Sequence, residues 1–160
     1  MDPPKIDKIW KLWYHSIKDN DWSKKSYEYI YSIKNIYDYN TIIEVFKQNH
    51  YQNGMFFFMK DNVFPNWEDP NNRLGGCLSF KVSSSKVIEE WNITLLRCIM
   101  GTLFQTKNDH INGLSISPKK EFNIIKVWFS KNIDYKEDYL EPPIPSEMVI
   151  SNSIYKKHSI

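Results

Sequence analysis

The residues best placed to do chemistry lie in Phe64 to Gly76, FPNWEDPNNRLGG, where Trp67 stands directly before two carboxylates, Glu68 and Asp69. Pro65, Pro70, Asn71, Asn72, Gly75 and Gly76 disfavour helix and central strand, so Trp67 is expected at a bend. An indole beside a carboxylate suits a planar, cationic, hydrogen-bond-donating ring, because the indole face attracts the charge and the acid accepts from the ring edge. The competing reading folds Trp67 back onto the core and leaves Glu68 and Asp69 as solvated loop acids. A second tryptophan, Trp22, also sits in polar, turn-like sequence, KDNDWSKKS. No P-loop, zinc-deaminase spacing or set of nucleophile, base and orienter accompanies these residues, so binding is expected rather than catalysis. Cys77 and Cys98 have no CxxC spacing and no nearby histidine at zinc-site distance, which points to two free thiols, no metal and no cofactor.

The elements that must position these side chains can be read from patterning. Lys8 to Ile17 is aromatic and partly alternating, as in an early strand, and Tyr29 to Tyr39, YIYSIKNIYDY, has strand composition; a hairpin with Trp22 near its tip joins them. Thr41 is the expected N-cap of a short helix carrying Ile42, Val45 and Phe46 and stopping near Gly54. Met55 to Met59 and Cys77 to Val82 read as strands on either side of the tryptophan loop. From Lys86 to about Leu103, apolar residues recur at steps of three and four, which predicts the main helix, with Leu96 and Met100 widening its apolar surface. Leu114 to Ser117 and Asn123 to Ser130 form strands around a connecting loop at Pro118 to Glu121. The tail holds Pro142, Pro143 and Pro145, an apolar Met148 to Ile150 and a polar end. The expected class is α+β, a mostly antiparallel sheet with helices on one face and the other face free to bind.

The chain has 160 residues, with 21 Lys and Arg against 19 Asp and Glu, and 25 Phe, Tyr and Trp in all (9, 10 and 6). That length suits a single domain spanning 1–160, with 1–7 as a short flexible arm. The near balance of charge excludes indiscriminate nucleic-acid binding and leaves site-like recognition, while the aromatic excess implies aromatics at the surface. No apolar run has the length of a signal peptide or membrane span, so a soluble, cytoplasmic monomer with no membrane association is expected.

In order along the chain, WKLW (Trp10, Trp13), Trp22 after a short polar turn, FPNWED followed by NNRLGG, EEWNITLLRCIMG, and GLSIS through IIKVW resemble the translation initiation factor 4E family, the mRNA cap-binding proteins. The likeness runs from about Ile9 to Trp128, and PPIPSEMVI is similar to that family's late PP-containing strand. The resemblance implies a curved antiparallel sheet of about eight strands, with helices on its convex face and a cap slot on its concave face. It also implies roles: Trp22 and Trp67 sandwich a 7-methylguanine, Glu68 reads its edge, and Trp128 lines the slot near the methyl group. The phosphates fall to Lys119, where the family usually has Arg, then to Lys120 and Lys126, with Arg73 assisting. Lys126 has the strand parity of Trp128, whereas the family's second basic position reads Ile124. Capped mRNA is the implied ligand. On the convex face, a scaffold initiation factor or other helical-motif partner is implied, its groove at Ile42, Phe46, Asn92 and Leu96.

Departures limit the likeness. The Arg-Trp usual after Gly-Gly reads Cys77-Leu78, a change expected in core packing. The stretch between Trp128 and Pro142 is too short for the family's helix there. Asn92 stands at an apolar position, and Ile43 and Ile93 at acidic ones, so a partner other than the ordinary scaffold motif is expected. Extra residues between Trp22 and the second strand leave open whether Trp22, or Tyr27 or Tyr29 in its stead, forms the second wall. Three readings compete: a cap-binding initiation factor, a repressor or decoy that holds the cap without recruiting a scaffold, and a fold relative that has lost cap binding to become an interaction protein.

Overall fold

Period-two alternation divides the side chains of the sheet between two faces. Along β6 (Phe122–Phe129), Ile125, Val127 and Phe129 enter the main core while Lys126 and Trp128 point the other way; along β3 (Met55–Lys60), Phe56 and Phe58 enter the core while Phe57 and Met59 do not. β1 (Lys5–His15), β2 (Glu28–Asn35), β4 (Gly76–Ser83), β5 (Ile111–Pro118) and β7 (Ile154–Lys157) complete the sheet. The computed structural model describes residues 5–142 and 146–158, and among these the sheet has seven strands, all antiparallel, in the order β2-β1-β3-β5-β6-β4-β7. The open sheet is curved, with the helices on its convex face and its concave face clear of them.

The main core lies under the helices α1 (Ile36–Val45), α2 (Gln48–Asn53) and α3 (Val87–Ile99). Of the stripe expected at Ile88, Trp91, Leu95, Ile99 and Leu103, α3 buries Trp91, Leu95 and Ile99, while Val87 rather than the half-buried Ile88 fills its first turn. It ends earlier than expected because Gly101, at φ 69°, turns the chain in the left-handed region; Leu103 is buried beyond the helix. A smaller cluster on the concave face comprises Phe57, Met59, Val63, Cys77 and Trp128, with Trp13, Tyr27 and Met55 against it.

Several expectations fail at element boundaries. Tyr37 and Tyr39 belong to α1, not to a strand, because Asn35 caps the helix by accepting from Asp38 N–H (3.1 Å) and Asp38 accepts from Lys34 N–H (2.8 Å) and Tyr31 O–H (2.8 Å). Thr41 lies inside that helix, its hydroxyl donating to Tyr37 C=O (3.1 Å). The helix expected to run to Gly54 breaks at Phe46 and Lys47, both extended. The sheet has seven strands rather than eight, and β1 starts at Lys5, so only residues 1–4 of the expected arm lie outside the described residues. Met148 to Ile150 is not a strand; the last strand is IYKK, in the end read as a polar tail. Pro143 and Pro145 lie outside the described residues. Among the described residues no helix is long and apolar enough to cross a membrane, and no cluster of three metal-ligating side chains occurs.

Candidate functional site

Strand register builds the floor of the site. Trp13, Phe57, Ser115, Lys126 and Ser79 are successive cross-strand partners from β1 to β4, and Met59, Gly113, Trp128, Cys77 and Lys156 form the next row, from β3 to β7. Partners directly opposite share a face, so each row presents its side chains together. Trp128 is 8% exposed and donates from Nε1 to Ser115 Oγ at 2.9 Å, which fixes the plane of its indole.

Two loops rise over this floor. In the first, residues 64–75, Asn72 is fully buried and donates to Phe64 C=O (3.1 Å) and Asn66 C=O (2.8 Å) while accepting from Asn112 Nδ2 (2.9 Å). Asp69 accepts from the backbone N–H of Phe64 (3.2 Å) and Asn71 (2.9 Å), and its own N–H donates to Asn66 Oδ1 (2.9 Å). A Cβ on Gly75 would stand 1.8 Å from Phe129 C=O, so only glycine lets this loop close onto β6. Asp69 therefore shapes the loop and is no solvated acid, while Trp67, 50% exposed, and Glu68 project from it.

The second loop joins β1 to β2 and carries Trp22, 48% exposed. One face of its indole lies on the buried His15 ring, parallel within 2° at a centroid distance of 3.7 Å. The other face is left for the cleft. Asp21 N–H donates to Asp19 Oδ1 (2.8 Å) and Ser23 N–H to Asp21 Oδ1 (2.8 Å), turns closed within the loop itself.

Trp22, Trp67, Glu68, Lys126 and Trp128 line one cleft of about 270 Å³, whose other walls include Tyr27, Met55, Phe57, Ser115 and Ser117. The Tyr27 hydroxyl is pushed up to about 12, mainly by burial and further by the carboxylate of Glu68, so the two share this space. Tyr27 packs edge-on to Trp22 and Phe64 and does not replace Trp22; Tyr29 packs against Trp13 and is absent from the cleft lining. Arg73, Lys119 and Lys120 are exposed and do not line it. Lys119 N–H closes the β5–β6 hairpin on Phe122 C=O at 2.7 Å.

A broader depression of about 680 Å³ shares Trp67, Lys126 and Trp128 and continues over Cys77 and Ser79 to Lys156, Lys157 and His158. Sequence reading missed these last three. Ile154 and Lys156 do alternate with Tyr155, but four residues in a polar end are a weak strand signal, and only pairing with β4 brings them to the site. Cys77, expected to alter core packing, instead faces this depression with Sγ 3.0 Å from His158 Nε2, while Leu78 enters the main core. His158 Nδ1 meets Asn72 C=O at 2.9 Å, so Nδ1–H donates there and Nε2 accepts from the thiol. Burial pushes the Cys77 thiol up to about 12 and lowers the His158 imidazole, leaving a neutral pair. The positive charge of this depression comes from the lysines.

Of the convex-face residues, Ile42 is 1% exposed and belongs to the core, so it is no accessible wall of a groove. Phe46, Asn92 and Leu96 are partly exposed. Tyr39 O–H donates to Asn92 C=O at 2.8 Å, tying α1 to α3. The exposed aromatic and apolar residues of α1 are Tyr37 and Val45.

Comparison with known proteins gives a consistent picture. The family model for eukaryotic initiation factor 4E matches residues 5–142. A curated relative, eukaryotic translation initiation factor 4E of Candida glabrata, is 25% identical over 126 residues, covering 74% of this chain and 59% of that protein. The chain thus spans less than two thirds of the length of that relative. Among solved structures, the fold is similar to C. elegans eIF4E-3 in complex with the 4E-binding protein Mextli, with a TM-score of 0.72 at 18% identity over 82% of this chain and 78% of that one. It is also similar to Ascaris suum eIF4E-3 with m7G cap, at TM-score 0.69 and 17% identity, covering 83% and 77%.

Proposed function

The chain belongs to the eukaryotic initiation factor 4E family, and on that premise we propose that its concave cleft binds the 7-methylguanosine 5′ cap of mRNA, without catalysis, to promote translation initiation in the cytoplasm. The observation that carries the proposal is the meeting of two half-exposed indoles, Trp22 and Trp67, with Glu68 and the fixed indole of Trp128 in one cleft. Methylation at N7 makes the guanine ring cationic. Each indole then contributes about 0.5 to 2 kcal/mol of cation–π attraction, and base stacking about 1 to 3 kcal/mol. The carboxylate of Glu68 accepts from N1–H and the exocyclic amine, charge-assisted bonds of about 1.5 to 3 kcal/mol each. Against an association cost of roughly 4 to 15 kcal/mol, micromolar affinity, about −8 kcal/mol, or somewhat better is expected. Trp128 walls the methyl side.

For the phosphates, Lys126 stands at the junction of cleft and depression, and we assign it the leading role, with Lys156 and Lys157 continuing the positive path. Lys119, Lys120 and Arg73 act from farther out, through charge alone. On the convex face, a helical-motif partner such as a scaffold factor would meet Phe46, Asn92 and Leu96 together with Tyr37 and Val45 of α1. The burial of Ile42 and the amide of Asn92 favour a partner with a more polar contact helix.

Retention on a 7-methyl-GTP resin tests the reading: elution by free 7-methyl-GTP and not by GTP is expected. Equal elution by both would overturn it.

A further inference from the structure

His15, the last residue of β1, is fully buried, and each of its ring nitrogens faces a carbonyl oxygen. Nδ1 lies 2.9 Å from Ser16 C=O and Nε2 2.8 Å from Asp21 C=O, with Ser26 Oγ a further 3.1 Å neighbour of Nε2. The Ser26 hydroxyl donates to Ser23 C=O at 2.7 Å, so its oxygen also presents a lone pair to the ring. A neutral imidazole has one donor and one acceptor nitrogen. Either neutral tautomer would set a nitrogen lone pair against a carbonyl oxygen at hydrogen-bond distance, in a site closed to solvent. All contacts are satisfied together only when both nitrogens carry hydrogen.

We propose that His15 is the positioning residue of the Trp22 wall, a doubly protonated imidazole that ties both ends of the β1–β2 loop and carries the indole on its face, so that cap affinity falls as His15 loses its proton. The proposal rests on the cap-binding reading for its consequence and on the free protein for its cause. Three links connect proton and wall. The ring joins Ser16 at the start of the loop to Asp21 directly before Trp22, so the two hydrogen bonds set where the tryptophan leaves the backbone. The parallel 3.7 Å stack then sets the tilt of the indole. Loss of one hydrogen bond replaces an attraction by a repulsion between lone pairs, which frees the Asp21 end and with it Trp22. The groups around the ring agree in sign. The Asp21 carboxyl is held below its usual range, chiefly by hydrogen bonds from Ser23 and in lesser part by Lys25 and His15, so a negative charge lies nearby. Tyr27 contributes a ring edge at 5.0 Å, and Met55, opposite His15 on β3, carries no charge.

A positive charge beneath Trp22 also draws electron density from the indole face that would meet a cationic base. The placement of the wall and the strength of its attraction therefore pull in opposite directions, and the proposal commits to placement as the larger effect. Free histidine-labelled protein decides the cause: in nitrogen-detected NMR at pH 6 both His15 ring nitrogens are expected protonated, and a lone-pair signature on either would overturn the proposal. Binding of 7-methyl-GTP, followed by tryptophan quenching from pH 5 to 8, decides the consequence. The ligand loses its own N1 proton towards the alkaline end, so His15→Phe, which keeps a flat ring under Trp22, is the reference. Wild type is expected about five- to tenfold tighter than His15→Phe at pH 6, the worth of one or two hydrogen bonds, with the gap closing by pH 8. Parallel profiles would overturn the proposal. If neither protein binds 7-methyl-GTP at any pH, the cap reading fails, and the Trp22 indole resonance of the free protein decides alone: sharp at pH 6 and broadened at pH 8 is expected, and no change overturns the positioning role.

Discussion

The two loops that face each other across the cleft hold equivalent tryptophans by opposite means. The Trp67 loop is tied to the sheet by the uncharged buried amides Asn72 and Asn112 and by the glycine contact at Phe129, with one further bond from His158 Nδ1–H to Asn72 C=O. The Trp22 loop closes mostly on itself and meets the sheet through one imidazole. Each loop has its histidine, and the two differ in sign: His158, beneath the Trp67 loop, has one donor and one acceptor contact and is held neutral, whereas His15 has acceptors on both sides. A slot with one fixed and one adjustable wall can hold a flat ring at constant register on one side while its grip is tuned from the other.

The sharpest way to break this comparison is to remove each wall in turn. Trp67→Ala is expected to lower 7-methyl-GTP affinity by about 100-fold, the loss of stacking and cation–π attraction together, and circular dichroism should show the fold intact. Trp22→Ala should cost less, about tenfold, because an adjustable wall also carries an ordering cost on binding. Equal losses, measured by calorimetric titration, would remove the distinction between the walls.

Stability separates the loops next. Asn72→Ala leaves Phe64 C=O, Asn66 C=O and Asn112 without their buried partner, at about 2 to 3 kcal/mol, or roughly 5 to 10 °C in Tm for a chain of this size. Ser26→Ala, at the His15 anchor, should leave Tm within about 2 °C, since an exposed loop opens at little cost to the whole. The sign for His158 follows from its lowered imidazole: that neutral pair stabilises the protein above about 6.5, the ordinary histidine value, and its contribution is lost as pH falls below it. Melting temperature against pH should therefore fall on the acid side of 6.5, and His158→Gln should flatten that limb.

The same contrast explains what could be read from the sequence. FPNWEDPNNRLGG announces its loop because proline, asparagine and glycine are each required there by local geometry, and the strands of the floor announce themselves by alternation. Trp22 was legible as a loop tryptophan, but its support was not: His15 ends a strand like any other residue, and its role exists only once Asp21 and Ser26 fold back over it. Lys156 and His158 were invisible for a related reason, since β7 is short and polar and owes its place to β4. The start of α1 was misread because tyrosine and isoleucine favour strands, whereas the side-chain bonds of Asn35 and Asp38 outweigh that propensity. Ile42 kept its expected helix but turned inward, a choice of face that the spacing of so few apolar residues does not fix.

The smallest expected effects concern the phosphate path, and they test whether the fixed side of the slot extends to the edge of the sheet. Lys126 and Lys156 stand on adjacent rows of the floor, on β6 and β7, on either side of β4, whereas Lys119 and Lys120 sit at an exposed hairpin tip. Lysines anchored beside a wall act at short range and are less screened; those at the tip act across solvent, where a Debye length of about 10 Å at 0.1 M salt weakens them. Lys126→Ala is therefore expected to lower 7-methyl-GTP affinity by about five- to tenfold and Lys156→Ala by about threefold, while Lys119→Ala costs about twofold at low salt and nothing measurable near 0.3 M. Titration with 7-methylguanosine, which lacks the phosphates, should make all three variants equal to wild type. A larger loss from Lys119→Ala than from Lys126→Ala would move the phosphates to the hairpin and end the fixed side of the slot at Trp128.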